Sequence, residues 1–241
     1  QNQALPIRAL DDDTIERMTT TRNNEGQHMR IYREQGARYR KTYGDNDEHN
    51  TSFTVWAPDI ERVEVLLTDN ERTIPMQKWP EGYHTAGAAV GPGTRYMYRL
   101  HTPDGIKDRP DMASFSQPDG VHGASEVVDL TFNWTDDGWN PPTLRNSVFY
   151  QVHVGTYTQA GTFEAIIPHL ERLADFGITT LQLLPIAQFP GERNWGYDGV
   201  QLYAPQNSYG GAKGLQKLVD AAHNAGIAVY LDLVYNHLGP E

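Results

Sequence analysis

The sequence predicts two units in tandem: an antiparallel β-sandwich over residues 51–140 and a parallel β/α unit over 147–241. Three observations carry this. From Ser52 onward, apolar residues recur with a period of two in short runs separated by turn residues. After Ser147 the pattern becomes strand, helix, strand, helix, strand, and the strands are almost continuously apolar. Between them lies Asn140-Pro141-Pro142, which reads as a linker.

Residues 1–50 form a polar extension, mostly irregular, with a short helix expected near Asp13 to Met18. Asp11-Asp12-Asp13 and Gly44-Asp45-Asn46-Asp47-Glu48 are solvated charge runs. In the sandwich, Phe53 and Val55 alternate with Thr54, and Val63, Val65 and Leu67 with Glu64 and Leu66. Tyr96 and Tyr98 alternate with Met97 and Arg99. Turns fall at Ala57-Pro58-Asp59, Thr68-Asp69-Asn70, Gly91-Pro92-Gly93 and Pro103-Asp104-Gly105, and Val127, Val128 and Leu130 close the unit. Val148 to Val154 is the first strand of the β/α unit. Residues 163–176 read as a helix with Phe163, Ile166, Ile167, Leu170 and Leu173 on one face and Gly177 as its cap. Pro168 either kinks that helix or starts its main body. Ile178 to Leu184 is the second strand. Leu215, Leu218, Val219 and Ala222 mark a second helix ended by Gly226, and Ile227 to Val234 is the third strand. This pattern implies a parallel sheet covered on both faces. Three strands and two helices fit either the opening of a (β/α)8 barrel or a small open sheet.

Composition narrows the function. The 241 residues carry a net charge of −11, unlike the basic face that phosphate binding requires, so no nucleic-acid partner is expected. There is no cysteine, which excludes disulfides and thiolate metal sites. No apolar run approaches the ~18 residues of a membrane span, no signal peptide opens the chain, and a cytoplasmic location is expected. The sequence has no HExxH, Walker loop, GxGxxG or GxSxG, so no metal and no cofactor are expected. Oligomeric state is left open.

The connection from Pro185 to Gly211 is far longer than the ~2–6 residues usual between a strand and its helix. Long loops at the C-terminal side of a parallel sheet carry function. This one holds Phe189, Trp195, Tyr197, Tyr203 and Tyr209 with Arg193 and Asp198. Aromatic faces stack on sugar rings while carboxylates and amides bind hydroxyls, so the mixture suits a carbohydrate site. Packing of the loop onto the sheet explains the aromatics equally well. Tyr203 is expected to pack, and Trp195 and Tyr197 to face ligand. Asp232 lies inside an apolar strand, where a carboxylate needs a partner. Asn236 and His237 follow where that strand ends, and His153 ends the first strand on the same rim.

These residues carry a resemblance. Asp232-Leu233-Val234-Tyr235-Asn236-His237 resembles the first signature region of the α-amylase superfamily. Trp195-Gly196-Tyr197-Asp198-Gly199 with Tyr203-Ala204-Pro205 resembles the substrate loop of its glycogen-acting branch. Phe53-Thr54-Val55-Trp56-Ala57-Pro58 is similar to the start of the immunoglobulin-like domain of branching and debranching enzymes. Gln117-Pro118-Asp119-Gly120-Val121-His122-Gly123 and His153-Val154-Gly155-Thr156-Tyr157 resemble the malto-oligosyltrehalose trehalohydrolases. The resemblance implies an immunoglobulin-like β-sandwich followed by the first units of a TIM barrel, truncated after strand 3. It implies retaining hydrolysis by a nucleophile and a general acid, releasing trehalose from malto-oligosyltrehalose. Both catalytic carboxylates would stand on barrel strands four and five, beyond Glu241, so no residue of this chain is expected to be catalytic and the chain alone is expected to be inactive. Tyr197 would be the stacking platform and His237 would hold hydroxyls of the same glucose. Asp198, Asn236 and Trp195 would complete the pocket; Asp232, orienting an arginine from elsewhere, and His153 would support it. The expected partner is an α-glucan or malto-oligosyltrehalose. The alternatives are a branching or debranching enzyme and a non-catalytic α-glucan-binding piece.

Overall fold

The computed structural model describes residues 34–40, 50–237, 239 and 241. The helix expected near Asp13 and both acidic runs lie outside these residues.

Alternation of apolar and polar residues builds the first unit. One sheet runs β1 (Gly36–Tyr39), β2 (Thr51–Trp56), β6 (Tyr83–Ala88), β5 (Gln77–Lys78). The other runs β4 (Arg72–Pro75), β3 (Arg62–Leu67), β7 (Arg95–Thr102), β8 (Gly105–Arg109), with β9 (Ser125–Glu126) also paired to β7. Every pairing is antiparallel. Phe53 from one sheet and Val63, Val65, Leu67, Tyr96 and Tyr98 from the other form a shared core, as the period of two requires. β1 lies within the stretch read as mostly irregular. Its residues Gly-Ala-Arg-Tyr offer little periodicity, and the strand is specified by its register with Thr51 to Thr54. Val127 joins the core one residue past β9, holding its place through Val127 N–H to the Thr94 carbonyl at 3.0 Å.

The second unit has β10 (Phe149–Val152), β11 (Thr180–Leu183), β12 (Ala187–Gln188), β13 (Gln201–Pro205) and β14 (Ala228–Leu231). β10, β11 and β14 form a parallel sheet in that order, and β12 and β13 a separate antiparallel pair. All three parallel strands are shorter than their apolar runs. Their helices are α1 (Val154–Tyr157), α2 (Phe163–Ile166), α3 (Leu170–Asp175) and α4 (Gly211–Asn224). Pro168 sits in a 3-10 turn, Ile167–His169, between α2 and α3, so it divides the predicted helix rather than merely kinking it. Thr162 caps α2 by accepting from the Ala165 N–H, and Gly177 leaves α3 at φ 84°. Phe163, Ile166, Leu170 and Leu173 meet Leu181, Leu183, Leu218 and Ile227 in one buried core.

One expectation is corrected. The helices pack on one face of this sheet. The opposite face carries Phe149 and Tyr230, which are 42% and 37% exposed and touch edge to face at 5.2 Å. Among the described residues no helix covers it; Thr180 and Ala228 on the same face are buried, so the apolar strand signal overstated the burial at Phe149 and Tyr230.

A strap of residues 130–139 ties the end of the sandwich to α4. The carbonyls of Leu130 and Thr131 accept from Gln216 Nε2 and Lys213 Nζ at 2.7 and 2.6 Å. Thr135 donates its N–H and hydroxyl to Asp220. Asp136, buried, hydrogen-bonds the buried His223 at 2.7 Å, and the Trp139 ring stacks on His223 at 3.7 Å and 8°.

Candidate functional site

At the C-terminal ends of the parallel strands lies an open cleft of about 1020 Å³ lined by His153, Glu192, Asn194, Trp195, Tyr197 and Asp198 among others. Beside it a cavity of about 140 Å³ is lined by Asp232, Tyr235 and His237 with apolar residues of the β12–β13 hairpin.

The loop between β12 and β13 has its shape set by one amide. Asn194 Oδ1 accepts from the Gly196 N–H at 2.6 Å and the Asp198 N–H at 3.5 Å, while its Nδ2 donates to Asp198 Oδ2 at 2.8 Å. This is an Asx turn. Gly196 completes it at φ 99°, where a Cβ would lie 2.6 Å from the Pro185 carbonyl oxygen. Between these two fixed points Trp195 is 82% exposed, and Tyr197 just beyond is 45% exposed. His153 braces the loop from below: its Nε2–H donates to the Asn194 carbonyl at 2.6 Å.

His237 reaches the same loop from the far side. Its Nε2–H donates to the Tyr197 carbonyl at 2.8 Å, which leaves Nδ1 as an acceptor on an exposed ring. Gly239 N–H then donates to the Gly199 carbonyl at 3.2 Å. The structure therefore brings together His153, Trp195, Tyr197 and Asp198 in the cleft, with His237 bonded to its wall. Asn236 is exposed in the bend after β14 and lines neither hollow. Asp232 stands one residue past β14 and is half-buried, not inside the strand as expected, and it lines the smaller cavity.

The aromatics divide differently from expectation at one position. Phe189 and Tyr209 are core residues, and burial pushes the Tyr209 phenol up. Tyr203 is 64% exposed instead of packed, because Ala204, 1% exposed, takes the inward place on β13. Sequence reasoning missed Asn194, although the Asn-x-Gly spacing of an Asx turn was legible. It also missed Gln188 and Gln206. These buried amides hold the hairpin: Gln188 Oε1 accepts from the Asn207 N–H, and Gln206 Oε1 from the Phe189 N–H. No group of three or more His, Asp or Glu able to hold a metal ion occurs among the described residues.

Residues 114–241 match the family described as alpha amylase, catalytic domain. The chain belongs to the α-amylase family. Residues 35–114 match carbohydrate-binding module 48, the isoamylase N-terminal domain. This α-amylase-family chain is 45% identical over 196 residues to the malto-oligosyltrehalose trehalohydrolase of Saccharolobus solfataricus, covering 81% of this chain and 34% of that one. It is 44% identical to the Deinococcus radiodurans enzyme of the same name, at 79% and 31% coverage. A 1,4-alpha-glucan branching enzyme of Mycobacterium tuberculosis is 31% identical, at 88% and 31% coverage. Among solved structures, a putative alpha amylase from Salmonella typhimurium superposes with a TM-score of 0.77 at 40% identity, covering 86% of this chain and 34% of that one. The chain spans about a third of the length of the curated relatives it matches.

Proposed function

We propose that these residues are the sugar-holding part of an α-1,4-glucan hydrolase that releases trehalose from malto-oligosyltrehalose. The supporting observation is the bond between His237 Nε2 and the Tyr197 carbonyl. It joins two motifs forty residues apart into one surface: an exposed phenol for stacking beside an imidazole with a free acceptor. Tyr197 is the platform for the glucose at the scissile bond, and His237 receives its hydroxyls. Asp198 and Trp195 complete the pocket, Asn236 stands exposed beside His237 without lining it, and Asp232 orients a cation.

Retaining hydrolysis needs two carboxyl groups about 5–5.5 Å apart across the bond. Asp198 is not assigned to that pair because Asn194 occupies one of its oxygens. Nor is Asp232, which lines the smaller, mostly apolar cavity. On this reading, which places both catalytic carboxylates outside these residues, the 241 residues alone bind α-glucan without cleaving it.

The test is incubation of the complete enzyme with malto-oligosyltrehalose, with trehalose as the expected product. Changed iodine staining of amylose without trehalose release would assign branching instead. Trehalose formed by the 241-residue chain above the buffer rate would overturn the claim that it does not turn over.

A further inference from the structure

The two outer faces of the sandwich differ in chemistry. Phe53, Val55, Ala86 and Ala88 belong to the core, so the alternate positions Thr54, Trp56, Tyr83 and Thr85 lie on the outer side of their sheet. Trp56 is in register with Tyr83, and Thr54 with Thr85. Gln77 pairs with Thr85 and shares that face. Trp79, one residue past β5, donates its indole N–H to Thr85 Oγ1 at 2.7 Å, so it lies there too. None of these six residues is charged. The outer face of the other sheet is a ladder of ion pairs instead. Glu64 bonds Arg62 and His101 at 3.0 and 2.6 Å, and Arg99 pairs with Asp108 at 2.9 Å.

Both indoles on the uncharged face are fixed by their N–H groups. Trp56 donates to the Glu81 carbonyl at 2.9 Å. Glu81 and Gly82 turn the chain at φ 65° and 87°, and a Cβ on Gly82 would lie 2.3 Å from the Pro58 Cα. The acceptor of Trp56 is therefore held in a close-packed turn. The Trp79 N–H donates to the Tyr83 carbonyl at 2.7 Å, so Trp79 and Trp56 flank Tyr83 on either side of β6. With strands ~4.8 Å apart, their backbones stand about 10 Å apart. Tyr83 is buried between them, while Trp56 is 56% exposed and Trp79 half-buried. Neither tryptophan lines the cleft or the smaller cavity.

We propose that Trp56 and Trp79 form a second glucan-binding platform, on the sandwich and outside the cleft. The ligand class rests on the α-glucan reading given above; the geometry of the platform does not. Indole faces whose planes are already fixed lose little freedom when a sugar ring stacks on them. Gln77 offers an amide and Thr85 a hydroxyl donor beside them, which match the hydroxyls at a ring edge. The absence of charge among these six residues decides the class of occupant. A neutral polyol fits such a face, whereas an acidic or basic polymer finds no opposite charge on it. The platform holds a stretch of glucan other than the glucose at Tyr197.

Calorimetric titration of the 241-residue chain with maltoheptaose tests this. Tyr197→Ala weakens the cleft and leaves a residual binding event. Adding Trp56→Ala or Trp79→Ala to that variant weakens the residual event about three- to tenfold, the size of one stacking contact. Trp56→Phe in the same background keeps a ring without the indole N–H and changes it by less than about twofold, which separates stacking from loss of the turn. No residual binding in Tyr197→Ala, or residual binding indifferent to both Trp56→Ala and Trp79→Ala, overturns the inference alone. So does a Trp56→Ala chain that sediments differently without sugar yet binds maltoheptaose as before, since a second copy then occupies the face. Wild-type binding unchanged by Tyr197→Ala but weakened by Trp56→Ala overturns the cleft reading and leaves the platform standing. A folded wild-type chain that binds no maltoheptaose overturns both.

Discussion

The amide of Asn194 decides how Trp195 and Tyr197 are presented. Its oxygen receives two loop N–H groups and its nitrogen holds Asp198, so truncation frees the backbone on both sides of the aromatics. Asn194→Ala is expected to weaken maltoheptaose binding about tenfold, the size of one or two net hydrogen bonds. It should leave the melting temperature within a few degrees, since the loop is exposed. Unchanged affinity by calorimetry would show that the turn holds without the amide. The exposure of Trp195 and Tyr197 agrees with the expectation that they face outward from an overlong loop. Asn194 was not read, because an amide's role depends on which N–H groups the turn aims at it. Tyr203 was misread for a related reason: on a two-stranded pair, either face can be the outer one, and only the packing of Ala204 decides.

Between elements, the segment after β8 is bound to β7 by a buried carboxylate. Asp111 Oδ2 accepts from the Tyr96 and Tyr98 hydroxyls at 2.7 and 3.2 Å, and Oδ1 from the Ala113 N–H at 2.8 Å. Burial dominates over these bonds and pushes the Asp111 carboxyl from 3.8 up to about 6. The native state therefore binds the proton more tightly than the unfolded chain. Its stabilising contribution is full below pH 3.8 and is lost as pH rises through about 6. Relative to Asp111→Asn, the wild type should lose about 2 kcal/mol of stability between pH 4 and pH 7. Parallel slopes in urea denaturation of the two proteins would contradict this. Helices and strands were legible wherever periodicity was strong, as in α4 and β7. β1 was not, because its pairing is set by a partner strand. Nor was the open face of the parallel sheet, because an apolar run reports the tendency to be buried and not the presence of a cover.

For the molecule as a whole, the strap was not legible in the sequence, since its bonds join α4 side chains to main-chain and side-chain atoms more than eighty positions away. His223→Ala removes the ring under Trp139 and one partner of buried Asp136. It is expected to cost about 1–2 kcal/mol, the size of a lost buried hydrogen bond, and to split a joint calorimetric melt into two transitions. One unshifted transition would show that the units are coupled by other contacts. The strap also bears on the order of folding. Its hydrogen bonds to α4 through Leu130, Thr131, Thr135 and Asp136, Asn224 to the Thr135 hydroxyl among them, link five residue pairs 82 to 89 positions apart. The first to form closes a loop of that length against chain entropy, and the rest then close at little further cost. A slip of the sandwich by one helical turn along α4 would break all five at once, so the strap sets the register of the two units as a single event.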